Sequence, residues 1–421
     1  MITTTRFANG INIVTNAMAD MQSVAIGIWI RVGGRYETPA QKGISHYLEH
    51  LLFKGSKRYS CRMIKESIEG VGGSLNGFTS EELTCYLAKL PYRYLDLALD
   101  ILSDMVLYPS LPAEEIEKER TVILEELKMY KDLPQSYVHE LLDGLLWPNQ
   151  PLGASIIGTE ESIRSITRKD LLDFQRHYYR PSHIVVCATG RLKPEMVSRK
   201  VKRIYPKLKD MARSNFLPAS ENQDRPQIKH LCKETEQTHL AMGFHSLRRD
   251  DPRRYALGLL HVILGANMSS RLFNEVREKR GLAYEIGTSV KRFEDTGAFI
   301  IHAGLDHGKI KEAVKVILAE LVKLKDSLVS PNEFKRAKEY YLGQLSLALE
   351  DTLDNMLWLG ESVSSTGRVE NFKEIKNKVS RVQRQELREL ARFIFRQEKL
   401  NLALISSVKE GELNLQDTLQ L

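Results

Sequence analysis

The chain has 421 residues, 42% hydrophobic and 27% charged, which excludes a disordered or fibrous polymer and suits about two to four folded units. A formal net charge of +7 is mild at this length, and no run of like charges or basic-aromatic stripe marks a nucleic-acid surface. No apolar run reaches the ~18 residues that span a bilayer, and the start lacks the pattern of a secretory signal.

The four cysteines, Cys61, Cys85, Cys187 and Cys232, form no CxxC pair and imply no disulfide framework. Cys85 and Cys187 sit in apolar, strand-like runs and read as buried small hydrophobes. A cytoplasmic protein with no nucleic-acid or membrane partner is the expectation.

Along the chain, residues 10–14 and 23–32 are rich in β-branched residues and read as strands, the second ending at Gly33-Gly34. Helical patterns follow at 44–54, 63–71, 92–105 and 113–131, with strands at 73–78 and 84–90 between them. Helices covering one side of a mostly antiparallel or mixed sheet predict an α+β fold. Residues 212–227 are polar and contain Pro218 and Pro226, which marks a linker. Beyond it the order repeats: a strand at 238–244, helices at 255–264 and 271–280, strands at 284–290 and 298–304, and a long helix at 309–325. This predicts an internal duplication with two homologous domains, 1–212 and 227–421, joined by a linker at 213–226.

The run His46-Tyr47-Leu48-Glu49-His50 lies on the first predicted helix. Positions i and i+4 are one turn apart on the same face, so two imidazoles so placed can chelate one Zn²⁺. Glu49 flanks the same face and can accept a proton from a metal-bound water without being a ligand. Ile44, Leu48, Leu51 and Leu52 fall on the opposite face and can pack on a core. A lone HxxEH is only suggestive, and a catalytic zinc needs a third protein ligand. In the 113–131 helix, Glu119 and Glu126 lie close together at the edge of an apolar stripe, while Glu125 points away from it. Glu126 suits a ligand and Glu119 a carboxylate supporting one; on the residues alone, both also read as ordinary surface acids.

With these runs the chain resembles the M16 family of metallopeptidases (pitrilysin or insulinase), in the short-chain branch that includes the mitochondrial processing peptidase. His46 to Ser56 matches the family's HxxEHxxFxG signature, and Glu119-Arg120 followed by Val122 to Glu126 matches its distal glutamate segment. Pro151-Leu152-Gly153, Gly158-Thr159 and Tyr179-Arg180-Pro181 look like further landmarks, so the likeness runs through nearly the whole chain. The resemblance implies one Zn²⁺ per chain on His46, His50 and Glu126, Glu49 as the base, and Glu119 as an accessory glutamate. It also implies that Arg277 and Tyr284, seven apart, act on the substrate's carbonyl oxygen. The strand holding Asn76, Gly77 and Phe78 resembles one that pairs with peptide substrates; Gly77 stands where alanine is common, and Ala154-Ser155 where arginine often follows the PLG.

The implied function is a zinc endopeptidase cutting peptides or presequence-like unfolded segments in a clamshell chamber, as a homodimer. The alternative is a non-catalytic core-type subunit of a larger complex. Such relatives lose part of the metal motif, whereas all five of its residues are present here.

Overall fold

The computed structural model describes residues 2–205, 215–409 and 412–421; positions 213 and 214 of the expected linker fall outside them. The described chain forms two sheets. The first contains β1 (Ile2–Arg6), β2 (Asn12–Ala17), β3 (Ser23–Ile30), β4 (Ser74–Thr79), β5 (Thr84–Pro91) and β6 (Ile184–Gly190), in the order β1-β2-β6-β3-β5-β4. The second contains β7 (Gln227–Cys232), β8 (Thr238–His245), β9 (Ala283–Arg292), β10 (Gly297–Leu305) and β11 (Asn401–Ser406), in the order β7-β11-β8-β10-β9.

The wiring repeats. In the first sheet β2 runs parallel to β6, and β6, β3, β5 and β4 then pair antiparallel in turn. In the second, β7 runs parallel to β11, and β11, β8, β10 and β9 follow antiparallel. The fold is α+β, with a mixed sheet and packed helices in each unit.

The two compact units are not the contiguous segments read from the sequence. One unit comprises Met1–Lys128, Ala154–Leu217 and Ser346–Val369; the other comprises Met129–Gly153, Pro218–Leu345 and Glu370–Leu421. Each sheet thus takes a helix from the far half of the chain. Thr352–Thr366 packs on β2, β3 and β6, where Met356, Leu359 and Val363 meet Val14, Trp29 and Cys187 in a buried cluster. Pro134–Leu146 packs on β8 and β11, where Val138, Leu142 and Leu146 meet Ala241, Ile300 and Ala403.

These exchanged helices correct a second expectation, that helices cover one sheet face only. In β3, Ala25 and Trp29 join the cluster under Thr352–Thr366, while Val24, Ile26, Ile28 and Ile30 alternate to the other face and are equally buried. Helices Ile44–Leu52 and Leu95–Leu107, which contact β3, β4 and β5, account for that face. A strand buried on both faces reads as a continuous apolar run, as Val24–Ile30 does. One predicted helix also changes type: Phe273–Glu278 is a wider π-helical turn, with Lys279 N–H bonded to Asn274 O at 3.0 Å. Among the described residues, no helix is long and apolar enough to cross a membrane.

Candidate metal centre

The helix Ile44–Leu52 carries its buried side with Ile44, Tyr47, Leu48, Leu51 and Leu52. It starts at Gly43, whose φ of +88° and lack of a Cβ are both required: a Cβ there would lie 2.3 Å from Ile157 O. No side chain adjoining the helix start caps it. The buried carboxylate of Glu37 does so, accepting the Gly43 N–H at 2.7 Å and the Ser45 N–H at 2.8 Å. These are two of the N–H groups that a helix start leaves without partners inside the helix.

The second contributing helix is Ala113–Lys131. It is tied to the first where Tyr47 O–H donates to Ile116 O at 2.5 Å. This register brings Glu126 Oε2 to 3.8 Å from His46 Nε2 and 3.6 Å from His50 Nε2. Among the described residues, His46, His50 and Glu126 are the one group of three such donors whose ligand atoms all lie within 4.8 Å of one another. A tetrahedral ion ~2.1 Å from each donor needs donors about 3.4 Å apart, so the set fits zinc after a small closure. Glu125, the neighbouring acid, points to solvent and pairs with Lys128 at 2.8 Å.

The surroundings suit ligand duty. His50 Nδ1 lies 3.1 Å from Glu119 Oε2, which leaves Nε2 to face Glu126. The other oxygen of Glu119 is held by the Lys54 ammonium. Burial, with help from neighbouring His50, pushes the His46 imidazole down to about 3, so it stays in the neutral form that offers a lone pair. Its Nδ1 is buried and has no hydrogen-bond partner among the described residues.

Glu49 sits beside the ligands, 8% exposed, and Thr79 Oγ1 donates to its Oε2 at 3.4 Å. Burial pushes its carboxyl up to about 7; His50 and Thr79 pull it down, while Glu126 pushes it further up. A carboxyl so poised can take and return a proton near neutral pH. Thr79 and Gly77 belong to β4, an edge strand of the sheet. A Cβ at Gly77 would fall 2.7 Å from Glu49 Oε1 and 3.0 Å from the Phe53 ring, so glycine gives the carboxylate its room. Asn76 Oδ1 accepts the Gly77 N–H at 2.8 Å, and Phe78 packs edge-on against Trp29 with ring centroids 5.5 Å apart.

Arg277 and Tyr284 come together in the second unit. The guanidinium lies 5.5 Å from the Tyr284 ring centroid and 4.7 Å from that of Phe273, and Tyr284 is 78% exposed on the edge strand β9. Sequence reasoning assigned no role to Glu37, Tyr47, Lys54 or Thr79. Tyr47 and Lys54 lie inside the signature run. Glu37 lies in a loop and Thr79 ends a strand, where helical periodicity carries no signal.

A mixed sheet over helices, duplicated, with an HxxEH helix facing a distal glutamate, defines a metallopeptidase-type scaffold. Residues 12–160 match the model of the insulinase family, peptidase family M16, and residues 165–341 match that of the peptidase M16 inactive domain. A protein of Bacillus subtilis named as an uncharacterized zinc protease is 37% identical over 94% of this chain and 96% of its own length. One of Streptomyces coelicolor with the same description is 34% identical over 97% and 90%. The crystal structure of a protease from Helicobacter pylori shares the fold with a TM-score of 0.91 at 22% identity, covering 96% of this chain and 99% of that one. The chain belongs to the M16 peptidase family.

Proposed function

We propose that this chain is a zinc-dependent endopeptidase that hydrolyses peptides and locally unfolded polypeptides. The observation that carries the reading is the convergence of His46, His50 and Glu126 beside the buried carboxylate of Glu49. The chemistry supplied by zinc, when bound there, is polarisation of the scissile carbonyl and acidification of a water. The chain's own residues do the rest. Glu49 accepts the proton of the attacking water and delivers it to the leaving amide nitrogen, with Thr79 orienting one of its oxygens. Glu119 and Lys54 hold the His50 ring in place.

The free edge of β4 supports peptide capture by strand addition, with Asn76, Gly77 and Phe78 lying along the bound segment. Only a locally extended chain can pair this way, so unfolded segments are the preferred substrates. Tyr284 O–H and the Arg277 guanidinium would stabilise charge developing on the carbonyl oxygen, contributed by the partner chain of a homodimer. Their mutual contact and the exposure of Tyr284 support this role. A non-catalytic role is disfavoured because the donor set and Glu49 are all present together.

The test is Glu49→Gln, which keeps size but removes the proton acceptor. Full zinc content with peptide cleavage nearly abolished is expected; substantial turnover would assign the base elsewhere.

A further inference from the structure

Away from the metal centre, the first unit carries a groove at the carboxyl ends of β2 and β6, the parallel pair of its sheet. Two helices wall it, Leu95–Leu107 and Pro194–Ile204. They are stitched together where Lys200 Nζ meets Asp96, at 2.7 Å to the backbone carbonyl and 3.1 Å to Oδ1. The cavity between them measures about 570 Å³. That is within the ~300–1,000 Å³ usual for small-molecule sites.

The floor is apolar, built from Leu95, Leu99, Met196 and Val197. Leu99 and Val197 are buried, but Met196 is 51% exposed and Tyr92, at the mouth, is 37% exposed. The rim is cationic: Arg93, Arg191 and Lys193. The Arg191 guanidinium stacks 4.4 Å from the Tyr92 ring centroid, and its Nη1 donates to the neutral Gln22 Oε1 at 3.4 Å. Arg93 lies 5.0 Å from the Tyr94 ring centroid. Among the described residues none of these three cations is paired with a carboxylate; Asp96, the acid in the lining, is taken by Lys200. Three uncompensated cations over an apolar cavity complement a ligand that is anionic at one end and apolar at the other. A concave cavity, unlike a flat face, admits a single chain lengthwise.

We propose that this groove binds a free single-chain acyl anion, with its tail on the Leu99–Val197 floor and its carboxylate at Arg191 and Lys193. Guanidinium and ammonium groups form the stronger, charge-assisted hydrogen bonds to such a head. The site is separate in its residues from the metal ligands, so occupancy does not require zinc.

The experiment is calorimetric titration of the full chain with dodecanoate below its micelle concentration. Hexanoate, dodecyltrimethylammonium and phosphatidylglycerol vesicles are run in parallel. One saturable dodecanoate site per chain is expected, with hexanoate weaker for want of a tail and the cationic amphiphile not binding. Arg191→Gln combined with Lys193→Gln, which removes both charge-assisted contacts to the head, should weaken dodecanoate by at least about tenfold. Ala19→Trp, which fills the groove mouth, should block it while leaving both cations in place. Equal affinity in the double variant, or equal binding of dodecyltrimethylammonium, would overturn the proposal as mere apolar adsorption. Absence of dodecanoate binding would also overturn it; vesicle binding lost in the double variant would then assign the patch to a lipid surface.

Discussion

Replacing Glu37 tests how the metal helix is held. Its carboxylate takes two backbone N–H groups, of Gly43 and Ser45, just ahead of His46. In Glu37→Ala both donors stay in a buried place without a partner. Each such orphan costs about 1–3 kcal/mol, so roughly 2–6 kcal/mol of stability is at stake. Protonation modulates this. Burial pushes the Glu37 carboxyl up to about 7 from 4.5, against the pull of its two N–H partners. The folded chain then holds a proton more tightly than the unfolded one between those two values. The stabilisation is complete below about 4.5 and is lost as pH rises through about 7, an effect on the order of 3 kcal/mol. Glu37→Gln stays neutral throughout. Relative to wild type it should therefore gain stability between pH 5 and pH 8, whereas Glu37→Ala should be weakest against wild type at pH 5. Urea unfolding of the three proteins at both pH values, with chelator present so that metal binding does not contribute, measures this. A wild-type-minus-Gln difference that does not vary with pH would refute the buried, proton-binding carboxyl. Full stability of Glu37→Ala would refute the cap itself.

Further tests address the surroundings of the site and the packing beneath it. Glu119→Gln keeps a hydrogen bond to His50 but loses the charge; zinc affinity, read by competition with a chelating dye, should fall about 10–100-fold. Gly360→Ala would place a Cβ 2.0 Å from Trp29 Nε1, inside a packed cluster. Such overpacking costs about 1–3 kcal/mol, so the denaturation midpoint should drop with zinc stoichiometry unchanged. Mixing inactive Glu49→Gln with inactive Tyr284→Phe should restore cleavage if two chains share each site, because every mixed dimer regains one intact centre. No recovery after verified subunit exchange points to Tyr284 serving its own chain.

Much of the site is local, and local features are legible. The i, i+4 spacing of His46 and His50, with Leu48, Leu51 and Leu52 on the opposite side, fixes which face of a helix meets the core. The same geometry separates Glu126 from Glu125, since neighbouring helix positions point about 100° apart. What escaped the sequence is non-local. Glu37 reaches the helix start by a loop path, and nothing in residues 33–43 states where that loop ends. The exchange of Pro134–Leu146 and Thr352–Thr366 is equally silent. An amphipathic stripe says that a helix packs, not on which of two similar sheets. Even so, a trace was present. Val24–Ile30 is too uniformly apolar for a strand with one covered face, which called for a second helical layer that the adjacent sequence does not supply.

The duplication sharpens the question of why one half holds the metal set. The helix Ile44–Leu52 and the helix Arg254–Leu264 follow equivalent strands, β3 and β8, in the repeated wiring. Both direct a titratable side chain to a threonine on the edge strand: Glu49 to Thr79 of β4, and His261 to Thr288 of β9, whose Oγ1 lies 2.7 Å from His261 Nδ1. The shared contact is a device for holding an edge strand against its helix. In the second half burial pushes His261 down to about 4, and among the described residues no imidazole or carboxylate completes a three-donor set with it. In the first half the same contact is surrounded by His46, His50 and a glutamate from the next long helix. The two halves therefore differ in the three side chains around a shared helix-to-edge contact, not in fold. The second unit presents Tyr284, exposed on its own edge strand, and Arg277 on the turn before it.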